Sequence, residues 1–149
     1  MATVTVTQWM PQPSAVVFGL LHDYKRRLEW DTLLREARLT RGHLQAGKGA
    51  TSICIGKLLF GIVGIETEYI TFTRSSIAAV KMINRPLFFE DFSASIRHKD
   101  VAGGSTLVYK LQFSAKPRIL RGILDPVTKI FLRRETQKWL QSLSTFLDG

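Results

Sequence analysis

The chain has a single cysteine, Cys54, among 149 residues. That excludes an intramolecular disulfide and a cysteine-rich metal site. Histidine is almost as scarce. His22, His43 and His98 are widely spaced and show no H-x-x-x-H or similar ligand pattern, so neither a metal nor a cofactor is expected. No serine sits in a G-x-S-x-G context, which leaves Ser14, Ser93 and Ser95 without the setting of a nucleophile. Gly47-Lys48-Gly49 and the segment 61–64 lack the spacing of a phosphate loop and read as turns. No stretch approaches the ~20 apolar residues of a membrane span. Met1 to Thr7 alternates small polar and apolar residues, without the basic start and apolar run of a secretory signal. A soluble, cytoplasmic protein is expected.

Hydrophobic residues make up 45% of the chain and charged residues 22%, a globular composition that argues against disorder. The length suits one domain over residues 1–149. The net charge of +9 would attract nucleic acid or anionic lipid. The lysines and arginines are nevertheless scattered, so contact with an anionic membrane or RNA is expected to be weak.

Residues 2–9 alternate Val4 and Val6 against Thr3, Thr5 and Thr7, the period of a strand. Pro11 and Pro13 end it, and Pro13 suits the first turn of a helix through Asp23. A second short helix is expected over Tyr24 to Trp30. From residue 34 the period is again two, with strands near 34–41, 50–57, 65–73, 77–84, 87–98 and 105–115. The breaks between them are short and rich in Gly, Ser and Pro, as in an antiparallel meander.

In the last strand Leu107, Tyr109, Leu111 and Phe113 share a face. In the one before, Phe88, Phe92, Ala94 and Ile96 do. The strand at 65–73 has no clear face. After Pro117 the pattern is helical to the end. Leu120, Leu124, Val127 and Phe131 form one apolar stripe, and Trp139, Leu143, Phe146 and Leu147 a second, rotated one. Pro126 should kink or split this helix. Laying the helix across a concave sheet would bury both apolar surfaces.

Four segments carry a resemblance: "PSAVVFGLLHDYKRRLEWD" at 13–31, "ETEYITF" at 66–72, "GGSTLVYKLQF" at 103–113, and the closing helix "ILDPVTKIFLRRETQKWLQSLSTFL". In order and spacing they resemble the polyketide cyclase/dehydrase and lipid-transport branch of the START/birch-pollen-allergen superfamily. The resemblance covers nearly the whole chain. It implies an α+β helix-grip fold: a seven-stranded antiparallel sheet wrapped around a long C-terminal helix, two short helices after the first strand, and a cavity between. It does not imply one activity.

On that fold Trp30 is the first candidate for a cavity wall, since in similar proteins this Trp sits where the short helices meet the sheet. Met82, Phe92, Tyr109 and Phe131 are further wall candidates; plain core packing would account for each equally well. Tyr109 is the most informative, because a buried phenol needs a partner. By strand parity Glu90 falls beside Phe92 and Ala94, where burial would raise its pKa. Alternatively it reaches water or pairs with Arg85. Glu68 has a similar standing.

Three functions stay open. The first is a carrier of a hydrophobic lipid, quinone or polyketide-like molecule, acting as a monomer or weak dimer. The second is a cyclase or aromatase using Glu90, Glu68, Tyr69 or Tyr109. The third is a ribosome- or RNA-associated module. The apolar cavity the fold would enclose favours the first.

Overall fold

A computed structural model describes residues 2–32, 34–56, 64–84 and 89–148. The expected turn residues 61–63 and 85–86, and Phe88, lie outside them. The elements run β1 (Ala2–Met10), α1 (Ser14–Leu21), α2 (Arg27–Trp30), β2 (Leu34–Thr40), β3 (Thr51–Gly56), β4 (Gly64–Thr73), β5 (Ile77–Met82), β6 (Phe89–Val101), β7 (Gly104–Ala115) and α3 (Arg121–Asp148). A single 3-10 turn, Arg118–Leu120, leads into α3.

The seven strands form one antiparallel sheet in the order β1-β7-β6-β5-β4-β3-β2. Consecutive strands from β2 to β7 pair as a meander, and β1 closes the order by joining β7. The register carries one row of inward residues across the sheet: Val4 opposite Leu111, Leu111 opposite Ala94, Ala94 opposite Val80, and Val80 opposite Tyr69. Against this face lie α1, α2 and α3. The core they enclose includes Val4, Met10, Leu107, Leu111, Phe113, Leu140 and Leu143, each 2% exposed or less.

Two single-residue irregularities interrupt the period-two pattern. Between Tyr69 and Thr71 the β4–β5 register shifts, so Tyr69 opposes Val80 while Phe72 opposes Ala78. One extra residue, the exposed Ile70, lets Tyr69 and Phe72 share a face despite odd separation. This is why the strand's face was ambiguous in sequence. A second shift lies between Phe89 and Asp91, leaving Glu90 as the extra residue.

The long helix departs from expectation in two ways. It runs uninterrupted through Pro126. That proline sits in the second turn, where its missing N–H forfeits one helical bond near an already frayed end. The first of the two apolar stripes also points away from the sheet: Leu120 is 46% exposed, Val127 61% and Phe131 39%. The buried face is Leu132, Thr136, Leu140, Leu143 and Ser144, set by contact of α3 with β1 and β7. No helix among the described residues is long and apolar enough to cross a membrane.

Candidate functional site

Between the sheet and the helices lies a cavity of about 240 Å³. Its apolar walls come from Leu21 of α1, Ile65 of β4, Ala78 and Val80 of β5, Phe92, Ala94 and Ile96 of β6, and Leu132 of α3. The small residues Ala78 and Ala94 sit mid-sheet. A larger side chain there would fill the space.

Polar side chains also lie on this lining, and several of them are engaged with one another. His22 follows α1, Tyr24 lies two residues further on, and Tyr69 stands across on β4. The His22 Nδ1 lies 2.8 Å from the Tyr69 hydroxyl, and the Tyr69 and Tyr24 hydroxyls are 2.9 Å apart. Tyr24 in turn donates to Ser52 Oγ at 3.0 Å. With the Tyr24 proton committed to Ser52, Tyr69 donates to Tyr24, and His22 donates from Nδ1 to Tyr69. Ring edges from Phe18 and Phe72 pack this chain.

A second buried cluster surrounds Arg27. Its Nε donates to Asp31 Oδ2 at 2.9 Å, one helical turn on, and its Nη1 donates to the Leu21 carbonyl at 3.3 Å. Trp139 of α3 donates from Nε1 to the same Asp31 oxygen at 2.7 Å. The guanidinium carbon lies 5.1–5.7 Å from the ring centroids of Trp30, Trp139 and Tyr24. Both members of the ion pair are removed from water, with side chains 10% and 1% exposed. Such a pair holds only because each charge is matched and the aromatic faces suit a guanidinium.

Burial sets the proton chemistry here. It depresses the His22 pKa to about 3, helped by the positive charge of Arg27 and by His98, so the imidazole is neutral at physiological pH. It pushes the Tyr24, Tyr69 and Tyr109 phenols and the Cys54 thiol up, so all four keep their protons. Among the described residues no group of three or more His, Cys, Asp or Glu is placed to hold a metal.

Of the residues singled out from sequence, Phe92 and Tyr109 line the cavity. Trp30 does not. It is 2% exposed in the main core and packs on Trp139 with centroids 5.9 Å apart. Met82 packs against that core without reaching the lining, and Phe131 lies on the partly exposed side of α3.

Glu90 is also misplaced by strand parity, because the bulge at Phe89–Asp91 removes it from the inward series. Its carboxylate accepts three hydrogen bonds from Arg118, including one from Nε at 2.8 Å, and another from Arg121. The Arg118 hydrogen bonds hold its pKa below the usual carboxylate range, the reverse of the rise expected on burial. Glu68 opposes Thr51 and Lys81, on the strand face away from Tyr69 and Thr67.

His22, Tyr24, Arg27, Asp31 and Trp139 were not recognised as lining residues in the sequence. The i,i+4 spacing of Arg27 and Asp31 signals a helical ion pair, but nothing local says that it is buried.

Residues 1–147 match the family model described as polyketide cyclase/dehydrase and lipid transport. No curated protein matches at the sequence level. Solved structures do. TTHA0849 of Thermus thermophilus superposes with a TM-score of 0.82 at 13% identity, over 98% of this chain and 97% of that one. The Zhui aromatase/cyclase of a Streptomyces species gives 0.78 at 13% identity, covering 99% and 93%. A START superfamily protein of Mycobacterium smegmatis gives 0.76 at 10% identity, covering 97% and 98%. At these identities the likeness is one of fold.

Proposed function

The chain belongs to the polyketide cyclase/dehydrase and lipid transport family, and from that premise we propose that it binds and carries a hydrophobic small molecule of lipid, quinone or polyketide type in the cavity between sheet and α3. The observation that carries this reading is the cavity's composition: mostly apolar walls with a small number of fixed polar groups, the pattern of a small-molecule site. In this reading Phe92 and Tyr109 contact the ligand, and the protein works in the cytoplasm as a monomer or weak dimer.

A cyclase-type enzyme is the second reading, and one observation favours it. Tyr69 and His22 meet at 2.8 Å on the cavity lining. Their proton affinities argue against it. A general acid or base works best with a pKa near the operating pH. A histidine at about 3 and phenols raised above their ordinary value lie on opposite sides of that optimum. These are strong positions for fixed hydrogen-bonding groups and poor ones for proton transfer.

The Lys and Arg side chains are read as a solvated basic surface. Any contact with anionic membrane or RNA is weak and salt-labile in this reading, because scattered charges are screened beyond ~8 Å at physiological ionic strength.

Native mass spectrometry of protein purified from its own host tests the carrier reading, together with titration of an apolar fluorescent probe. A bound species of defined mass, or saturable probe binding displaced by it, is expected. Protein that carries nothing and leaves the probe in water would overturn the proposal. Chemical conversion of the recovered ligand would favour the enzyme.

A further inference from the structure

Two hydrogen-bond donors on the cavity lining are left open, beside one acceptor, the buried His22 Nε2. Arg27 has five N–H groups. One is taken by Asp31 and one by the Leu21 carbonyl, and the other three have no acceptor among the described residues. The Tyr109 hydroxyl likewise has no hydrogen-bond partner among the described residues, although its ring is packed at 5.1 Å against Trp139. Arg27 sits over the same Trp139 ring at 5.2 Å, so both donors border Trp139.

Of the acceptors nearby, the Asp31 carboxylate and the hydroxyls are already in use, and His22 Nε2 is open. Asp31 receives Arg27 and Trp139 on one oxygen, and the hydroxyl chain from His22 to Ser52 satisfies itself internally.

The charge balance of the lining is the opposite of the chain's. Against a net charge of +9 overall, the described lining holds one permanent cation, Arg27, and two carboxylates, Asp31 and Glu135. Arg27 is matched by Asp31, and Lys138 lies 3.6 Å from Glu135. Among the described lining residues no positive charge is left uncompensated to receive an anion. A third carboxylate brought into this enclosure would lose its hydration and meet two like charges.

We propose that the cavity selects an uncharged apolar molecule bearing a carbonyl-type acceptor oxygen, which the Arg27 guanidinium and the Tyr109 hydroxyl hold by hydrogen bonds. This rests on the carrier reading above and narrows it: ketones and similar carbonyl compounds are ligands, while free carboxylic acids and pure hydrocarbons of the same frame are discriminated against. The apolar walls supply affinity and the two donors orient the molecule. A buried donor left without an acceptor penalises an analogue that lacks the oxygen, which makes this kind of selection steep.

Three probes on one ring frame separate these points: acetylnaphthalene, ethylnaphthalene and naphthoate, titrated calorimetrically near neutral pH. Wild type should bind acetylnaphthalene about ten-fold more tightly than ethylnaphthalene, with naphthoate weakest. Tyr109→Phe keeps the ring on Trp139. It should reduce the acetyl-over-ethyl preference about three-fold or more. Thermal melting of the variant checks that it is folded.

Arg27→Met paired with Asp31→Asn removes the other donor without stranding a charge and should reduce the preference further. Equal affinity for the acetyl and ethyl probes, with both bound, overturns the donor assignment and leaves the carrier reading standing. Naphthoate binding most tightly overturns the requirement for an uncharged ligand. Failure of all three to bind overturns the carrier reading itself, and this inference with it.

Discussion

Acidification should destabilise the protein well before its carboxylates titrate, and the cause is two buried histidines. His98 is 9% exposed, neither ring nitrogen has a partner among the described residues, and the ring packs at 5.3 Å against Phe18. Burial lowers its pKa to about 4, and that of His22 to about 3, against an ordinary value of 6.5. In both cases the folded state favours the neutral ring, so on acidification the unfolded chain takes up the proton first. The associated stability is present in full above pH ~6.5 and is lost as pH falls toward the folded-state values. Each proton bound only by the unfolded chain changes stability by ~1.4 kcal/mol per pH unit. Between pH 7 and pH 5 that amounts to about 2 kcal/mol per histidine, or about 4 kcal/mol for both. The lowered pKa of Glu90 acts in the same sense, but only below its ordinary value of 4.5, outside this window.

Urea unfolding followed by tryptophan fluorescence at pH 5, 6 and 7 measures the loss directly. His98→Leu isolates half of it. The variant should lose only about half as much stability across the window. At pH 7 it should be no less stable than wild type, because the substitution removes two unpartnered polar atoms from the interior. A wild-type stability that is flat from pH 7 to pH 5 would refute the reasoning. So would a His98→Leu protein that keeps the full pH dependence.

Arg27→Met should cost about 3–5 kcal/mol by leaving the Asp31 carboxylate buried without its countercharge. Adding Asp31→Asn should return more than half of that, a coupling readable from a double-mutant cycle in urea; simple additivity would contradict the ion-pair account. Trp30→Ala should lower stability by about 3–5 kcal/mol as a core truncation, while the fraction that folds still takes up an apolar probe. Phe92→Ala, on the lining, should alter probe affinity itself, and equal probe binding by wild type and this variant would remove Phe92 from the site. At Gly104 an added Cβ would lie 2.1 Å from the Met10 carbonyl oxygen, so Gly104→Ala should destabilise the β1–β7 junction by about 1–3 kcal/mol, seen as a lower melting temperature.

Period and punctuation alone were enough to find the elements. All seven strands and the long helix occur where alternation, turn residues and helical spacing put them, because those signals arise within a strand or a turn and need no distant partner. The candidate site was legible only where that period held unbroken. Tyr109 lies on a strand of regular alternation and Phe92 just beyond the bulge of its own strand, and both reach the lining.

Glu90 failed because one bulged residue reverses parity, and a single inserted residue has no periodicity of its own to betray it. The two apolar stripes of α3 looked equally fit to face the sheet. Docking on β1 and β7 buried Leu132, Leu140 and Leu143 and left Val127 in water, a choice made by surfaces far away in the chain. The polar clusters are of the same kind. Arg27 and Asp31 are an ordinary i,i+4 pair until Trp139, 108 residues beyond Asp31, closes over them. Likewise Tyr69 meets Tyr24 and His22 only because the sheet brings β4 beneath α1. Burial turns these common side chains into a site, and burial is a property of the assembled layers, which no local stretch of sequence encodes.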